Sequence, residues 1–183
     1  ETHDTDLHTY ARLHAWSINE KALFWQTFSN FAKLTLQQPA DAVYTPHADL
    51  WKEKWFCGSR LNFAENLLRY RDYNIALEFF DETGHHQQLS YAGLYRETGR
   101  IATWLRQQGI RPGDRIAGFA ANRIETIVAM LASASVGAIW SSCSPDFGVN
   151  GILDRFSQIT PKVLFAVSSH LYGGKTIRHE KTL

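Results

Sequence analysis

The feature that most limits what this chain can fold into is an alternation of strand-like and helical segments in its second half. Arg115–Ala121, Ala138–Cys143 and Lys162–Val167 are short and apolar, and two segments with helical spacing, Arg123–Val136 and Gly148–Gln158, separate them. Strand, helix, strand, helix and strand joined by short turns are typical of a parallel sheet with helices on both faces. We therefore predict an α/β fold that contains part of a parallel, doubly wound sheet.

A strand pair and a long helix are predicted to precede this sheet. Ile75–Asp81 and His85–Leu89 have the period-two pattern of paired strands, with turn residues between them. Ser90 is suited to cap the helix that follows, and Gly109 is suited to end it. Arg111–Asp114 reads Arg-Pro-Gly-Asp, which predicts a tight turn into the first parallel strand.

The first 70 residues have a different character. Apolar residues at helical spacing predict two helices within Leu7–Leu36 and a further helix over Asn62–Tyr70. Residues 37–60 show little periodicity, which predicts a long loop whose large aromatic side chains are packed. We predict an N-terminal helical, wrapping segment over 1–70 and the first part of an α/β domain over 71–183.

Composition limits the range of partners and compartments. The 183 residues include 19 basic and 18 acidic ones, a balance that gives no general attraction to nucleic acid or to an anionic membrane. Cys57 and Cys143 are far apart and form no C-x-x-C motif, which favours a reducing, cytoplasmic compartment. The eight histidines lack metal-ligand spacing, so we predict no metal site in these residues.

Three segments at the carboxyl ends of the predicted strands are candidates for binding: Ala120–Arg123, Ser141–Phe147 and Ser168–Lys175. Within the last of them, Gly-Lys-Thr resembles the end of a phosphate-binding P-loop, but Ser169 stands where the first glycine is required. The partial match does not favour a P-loop. A phosphate contact by Lys175 and a plain surface loop both remain open.

The polar residues in these segments have simpler interpretations than catalysis. Ser141–Ser144 lacks the glycines of a nucleophile elbow, so we predict no catalytic serine or cysteine. Asp146 precedes a predicted helix, which favours a capping role. His179 lies among charged residues near the end of the chain, and we expect it to meet solvent.

Several strings resemble those of known enzymes. Trp55–Leu68 and Trp140–Gly148 are similar to segments of acetoacetyl-CoA synthetases, although Cys57 stands where that family typically has proline. Leu89–Leu94 and Gly109–Ala117 look like the opening of adenylate-forming enzymes in general. The chain is thus identified as resembling the N-terminal part of an acetoacetyl-CoA synthetase of the acyl-adenylate-forming superfamily.

The resemblance implies an acid–thiol ligase that converts ATP, acetoacetate and CoA to AMP, pyrophosphate and acetoacetyl-CoA through an acyl-adenylate. It implies ATP, Mg²⁺ and CoA as cofactors and a C-terminal domain as an intramolecular partner. The family's Ser/Thr/Gly-rich loop ending in Pro-Lys does not occur in the 183 residues, so we expect the chain to be a fragment that is inactive alone. An acetyl- or propionyl-type synthetase and a free-standing CoA- or nucleotide-binding module are the alternatives.

The resemblance also implies a location for part of a CoA site. Relatives of the acetyl-CoA synthetase type hold the nucleotide of CoA with a Phe-Gly-Gly loop and an Arg-x-x-Arg string. These correspond by register to Ser144, Pro145 and Asp146, and to the string that begins at Tyr172 and ends at Lys175. Stacking of Tyr172 on adenine and contact of Lys175 with the 3′-phosphate are the implied roles, while no catalytic residue is implied.

Overall fold

The computed structural model describes residues 7–179, and the chain divides into two compact units, Glu1–Asn62 and Phe63–Leu183. Each unit combines helices with short strands. The α/β class predicted from the sequence is confirmed. The domain boundary predicted after residue 70 stays a prediction.

The first unit contains two helices followed by an antiparallel ribbon of two strands. Thr9 caps the first helix, since its hydroxyl accepts a hydrogen bond of 3.3 Å from the backbone N–H of Arg12. The two helices predicted within the first 36 residues are confirmed. The elements are α1 (Tyr10–Asn19), α2 (Lys21–Phe31), β1 (Ala42–Thr45), a short 3-10 helix (Leu50–Lys52) and β2 (Lys54–Cys57).

The loop predicted over residues 37–60 is wrong, because β1 and β2 lie within it. Tyr44 is opposite Trp55 in the ribbon, and the centroids of their rings lie 4.4 Å apart. Such a cross-strand pair of aromatic rings stabilises a two-stranded ribbon. The aromatic side chains were predicted to be packed. Trp55 contacts the rings of Trp25 and Tyr44 but is still 39% exposed, and Trp51 is 80% exposed, so the prediction is wrong for Trp51 and holds only in part for Trp55.

The second unit holds a hairpin, a parallel sheet and a second hairpin. The predicted helix before the first hairpin is present but shorter than Asn62–Tyr70. The elements are α3 (Phe63–Leu67), β3 (Ile75–Phe80), β4 (His86–Ser90), α4 (Tyr91–Gln107), β5 (Arg115–Phe119), α5 (Ile124–Ser135), β6 (Ile139–Cys143), α6 (Val149–Ile159), β7 (Val163–Ala166), β8 (Ser169–Tyr172) and β9 (Lys175–Arg178).

The parallel sheet has the strand order β6-β5-β7, with β5 in the centre. The connection from β5 to β6 runs one way across the sheet, and the connection from β6 to β7 runs back past β5. Because such crossovers are right-handed, this reversal places α5 and α6 on opposite faces of the sheet. The predicted doubly wound arrangement is therefore confirmed.

Alternate residues of β5 enter two separate cores. Ile116 packs with α4 and α5, where Leu105 and Ala132 are fully buried. Phe119 points to the other face and packs with Phe156 of α6. A strand that is apolar on both sides must be covered on both sides, and this explains the near-continuous apolar run in the sequence.

The turns around α4 follow the predicted local chemistry. The Ser90 hydroxyl accepts a hydrogen bond of 3.1 Å from the N–H of Gly93, which confirms the predicted N-cap. The predicted turn at Arg111–Asp114 is also confirmed, with the N–H of Asp114 bonded to the carbonyl of Arg111 at 3.1 Å. Gly113 has a φ of 85°, a conformation that other residues seldom adopt.

Asp114 joins the start of β5 to the start of β7. Nζ of Lys162 lies 2.7 Å from its Oδ1, and the backbone N–H of Arg111 donates to its Oδ2 at 2.8 Å. The hydrogen bond from Lys162, and then that from Arg111, lowers the pKa of Asp114 below its ordinary value. A carboxyl group of this kind contributes stability above its unfolded-state pKa and loses it as the pH falls through its folded-state pKa.

We expect Asp114→Asn to reduce the loss of stability on acidification. Asparagine retains an acceptor but carries no charge, so its bond to Lys162 does not depend on deprotonation. Urea unfolding at about pH 7 and about pH 3, on either side of an ordinary carboxyl pKa, measures the difference. Asp154→Asn, at an exposed position of α6, is the control. An equal pH dependence in the Asp114→Asn variant and the unchanged chain would contradict the role of this pair.

Candidate functional site

A cavity of about 580 Å³ opens at the carboxyl ends of the parallel strands. Its walls come from the end of β3, from the segments after β5 and β6, and from β8, and include Asp81, Arg123, Ser144, Asp146 and His170. Ligands of doubly wound sheets bind at this edge, where the connections leave in opposite directions. All three segments predicted as candidates for binding contribute to the wall.

The loop after β6 presents polar groups to this cavity. The Ser144 hydroxyl donates to Oδ2 of Asp146 at 2.7 Å, and Oδ1 of Asp146 lies 3.1 Å from Nε2 of His170. The hydrogen bond from Ser144, with a further contribution from His170, lowers the pKa of Asp146. The predicted capping role of Asp146 is wrong, because Gly148 is the N-cap of α6 and Asp146 is engaged by Ser144 and His170.

The segment after β7 is a hairpin rather than a loop. β8 and β9 pair in antiparallel register, with Tyr172 opposite Lys175. Gly173 and Gly174 form the two-residue turn with φ values of 58° and 72°, both positive, as such tight hairpins require. A P-loop needs a helix after its lysine, and here Lys175 begins a strand. The partial P-loop match is therefore excluded. Lys175 is exposed beside a surface turn, so a phosphate contact and a solvated lysine without a ligand both stay predictions.

The hairpin places its two candidate binding residues at its tip. Tyr172 is 66% exposed, and Lys175 is exposed beside it. Neither lines the cavity, whereas Ser144, Pro145 and Asp146 do. The N–H of Gly174 donates to Glu82 after β3 at 2.8 Å, so this tip is fastened to the cavity wall. The structure thus brings three of the five candidate residues together and leaves two on the adjoining tip.

Sequence reasoning missed two histidines: His170 lines the cavity, and His179 is hydrogen-bonded to it. Nδ1 of His170 lies 2.7 Å from Nε2 of His179, and the opposite nitrogen of His170 faces Asp146. His179 is only 5% exposed and meets the ring of Phe119 edge-on at 5.0 Å, so its predicted exposure to solvent is wrong. The sequence signal that could have revealed them is the Gly173–Gly174 pair, which indicates a hairpin turn. Because side chains alternate along strands, such a hairpin places both histidines on one face.

Cys143 shows no sign of nucleophilic activation. Cys143 is buried at the end of β6, and burial raises the pKa of its thiol, which disfavours the reactive thiolate. Residues 7–179 contain no group of three or more His, Cys, Asp or Glu side chains that could hold a metal ion. Within the same residues, no helix has the length and apolar character needed to cross a membrane.

The fold and the cavity define an α/β protein of the doubly wound class, in which ligands bind at this edge of the sheet, and comparison with known families makes the class specific. The chain belongs to the AMP-binding enzyme family, whose model matches residues 63–182. A second model, described as the acetyl-coenzyme A synthetase N-terminus, matches residues 10–67.

Individual relatives are acyl-CoA synthetases. The chain is similar to acetoacetyl-CoA synthetases of Macaca fascicularis (40% identical over 182 residues) and Xenopus tropicalis (43% over 182 residues), and these matches cover 97% of this chain. A solved structure of acetoacetyl-CoA synthetase from Streptomyces lividans matches with a TM-score of 0.88 and 39% identity, over 94% of this chain and 27% of that one. The predicted resemblance is confirmed. The chain spans about 27% of the length of these curated relatives.

Proposed function

We propose that this chain supplies the N-terminal part of an acetoacetate–CoA ligase, an acid–thiol ligase that works through an acyl-adenylate. The observation that carries the proposal is the match to the Streptomyces lividans acetoacetyl-CoA synthetase, with a TM-score of 0.88 across 94% of this chain. The whole enzyme would join acetoacetate to CoA and convert ATP to AMP and pyrophosphate. We place it in the cytoplasm, with small-molecule substrates and without nucleic-acid or membrane partners.

In this proposal the chain is a scaffold and not a complete catalyst. Adenylation gives the acyl group a good leaving group, and the enzyme's task is to position the reactants and neutralise phosphate charge. The Ser/Thr/Gly-rich loop ending in Pro-Lys that such enzymes use for the phosphates of ATP does not occur in these 183 residues. We therefore propose that ATP and Mg²⁺ are held by downstream sequence, and that a C-terminal domain completes the site.

The proposed share of this chain in ligand binding is the nucleotide end of CoA. Ser144, Pro145 and Asp146 line the cavity, while Tyr172 and Lys175 flank the glycine turn of the hairpin. An exposed aromatic ring offers stacking to adenine, and an ammonium group offers a charge-assisted hydrogen bond to phosphate. A Cβ built on either turn glycine meets no atom within 4 Å, so a ligand can approach this backbone closely.

The acyl group is the least constrained part of the proposal. A malonamoyl-CoA synthetase of Penicillium aethiopicum is 39% identical over 176 residues, nearly as similar as the acetoacetyl-CoA synthetases. The second candidate function is therefore a ligase for another short acyl group, including the acetyl or propionyl type. A free-standing CoA- or nucleotide-binding module is the third candidate.

A hybrid enzyme tests the proposed function. This chain would replace the matching segment of the Streptomyces lividans protein, and pyrophosphate release would be measured with acetoacetate, acetate, propionate or malonamate. We expect activity that depends on acetoacetate, because the two folds match closely. A soluble, folded hybrid without acyl-dependent pyrophosphate release would contradict the proposal and favour the binding-module alternative.

A titration of CoA against the 183-residue chain tests the proposed contact of Lys175 with phosphate. We expect Lys175→Ala to weaken CoA binding about tenfold, the order of effect of one charge-assisted hydrogen bond. Dephospho-CoA, which lacks the 3′-phosphate, should bind the variant and the unchanged chain equally. Lys162→Ala is the control, since that lysine is paired with Asp114. Equal affinity of the Lys175→Ala variant and the unchanged chain for CoA would refute the contact.

A further inference from the structure

A line of hydrogen bonds connects the loop after β6 to the core beneath the β8–β9 hairpin. It runs from Oδ1 of Asp146 to Nε2 of His170 (3.1 Å), and from Nδ1 of His170 to Nε2 of His179 (2.7 Å). The side chain of His170 is 7% exposed, and His179 is buried. Asp146 and His170 lie 24 residues apart in the chain, so the bond between them is a tertiary contact between two separate segments.

The geometry assigns one tautomer to each histidine in its neutral form. The two rings are parallel to within 1° and their centroids lie 4.9 Å apart, which with a short N···N bond describes rings joined edge to edge. A carboxylate only accepts, so His170 must donate from Nε2 and accept at Nδ1. His179 must then donate from Nε2. Burial, together with the neighbouring His170, lowers the pKa of His179, in agreement with a neutral ring.

The inner end of this line is anchored in the core. The ring of His179 packs against Phe119, the last residue of the central strand and fully buried. The backbone N–H of His179 donates to the carbonyl of Ser168 at 2.8 Å, which extends the hairpin by one more pair. The outer end reaches Asp146 on a different loop. The hydrogen-bonded residues therefore connect the loop after β6 and the β8–β9 hairpin to Phe119 in the core.

The arrangement is not that of a nucleophilic triad. In a triad the histidine stands between the hydroxyl and the carboxylate, so that it can take the proton. Here Asp146 stands between Ser144 and His170, and its lowered pKa makes it a weak base. The hydroxyl of Ser144 orients the carboxylate, and the carboxylate orients the imidazole. These hydrogen bonds are therefore suited to fixing the positions of the side chains and not to proton transfer.

We propose that His170 and His179 are positioning residues that hold the 144–147 loop and the β8–β9 hairpin as one rigid unit. The part of this proposal that concerns CoA rests on the proposed function, since these are the segments assigned to its nucleotide. Three candidate residues lie on the loop, and Tyr172 and Lys175 lie on the hairpin. A ligand that spans both segments binds more tightly when their spacing is fixed in advance.

Nitrogen-15 spectra of the histidine rings in the full 183-residue chain test the hydrogen-bond line. We expect both His170 and His179 to carry the proton on Nε2. Asp146→Ala should remove the fixed tautomer of His170 and, through it, shift the ring signals of His179, which makes no hydrogen bond to Asp146 in the described line. Unchanged His179 signals in this variant, or an Nδ1-protonated ring in the unchanged chain, would overturn the proposal.

Amide hydrogen exchange tests whether the two segments move as one. We expect His170→Phe, which keeps a ring but no nitrogens, to raise exchange about tenfold or more in both the 144–147 loop and the hairpin. His170→Gln, which keeps one donor for Asp146, should restore protection in part. His86→Phe is the control, because His86 makes a similar bond of 3.0 Å to Glu78 on an exposed hairpin. Unaltered exchange in His170→Phe would overturn the proposal.

Titration with CoA separates this inference from the proposed function. We expect His170→Phe to raise the Kd for CoA about fivefold or more, with His86→Phe unchanged. If the unchanged chain binds no CoA, the proposed CoA site is wrong, and the ring spectra and exchange rates still decide the rigid unit. If CoA binds the His170→Phe variant and the unchanged chain equally, the positioning role toward CoA is refuted.

Discussion

Replacing Phe119 with alanine is expected to lower the free energy of unfolding by about 3–5 kcal/mol, the range for large-to-small changes at buried aromatic positions. Phe119 is fully buried at the end of the central strand and packs with Phe156 on one side of the sheet. The substitution would leave a cavity beneath the candidate site, and His179 would lose the ring against which it packs. Urea unfolding, with amide exchange of β5 as a local measure, gives the change.

Phe80→Ala is the matched control, because Phe80 lies in the same unit but is 63% exposed. Its expected cost is below about 1 kcal/mol, since a substitution at an exposed position leaves no cavity. A Phe119→Ala cost as small as that of the control would mean that the core on this face of the sheet is not packed as described. If Phe119→Ala lowered the free energy of unfolding by the expected amount but left the His179 ring signals unaltered, the position of His179 would not depend on Phe119.

The parallel sheet was predictable because its signals are local or nearly so. Three short apolar runs separated by helical spacing admit few arrangements other than a doubly wound sheet. The cap at Ser90 and the turn at Gly113 depend on side-chain and φ preferences that a few adjacent residues determine. The right-handed crossover rule then fixes which face each helix covers, as Ile116 and Phe119 illustrate.

The ribbon in the first unit was missed because its pairing is not local. β1 is only four residues long, and its partner lies beyond the short 3-10 helix, so neither strand gives a clear period-two signal. The ring contact between Tyr44 and Trp55 becomes visible only after the register is known. In such short strands side-chain pairing, rather than intrinsic propensity, decides the structure.

The location of the candidate site could be predicted from the sequence, but not all of its residues could. The rule for ligands at the carboxyl ends of strands located the cavity and its loop at Ser144–Asp146. Gly173–Gly174 carried a hairpin signal, which the neighbouring Gly-Lys-Thr string obscured. The contact of His170 with Asp146 joins residues from different elements, and nothing in the pattern of either element predicts it. A site built from tertiary contacts becomes visible only when the fold is known.

Replacing Gly118 with alanine is expected to lower the free energy of unfolding by about 1–3 kcal/mol, the usual cost of overpacking a well-filled core. A Cβ on Gly118 would lie 2.4 Å from Cζ2 and 2.6 Å from Cη2 of Trp140, so the indole ring must move. Gly99→Ala is the control: a Cβ there meets nothing within 4 Å, and alanine in a helix interior should stabilise by about 0.5–1 kcal/mol. We therefore expect the two substitutions to change the free energy of unfolding in opposite directions in the same urea experiment. Stabilisation by both substitutions would show that Trp140 does not lie over the central strand.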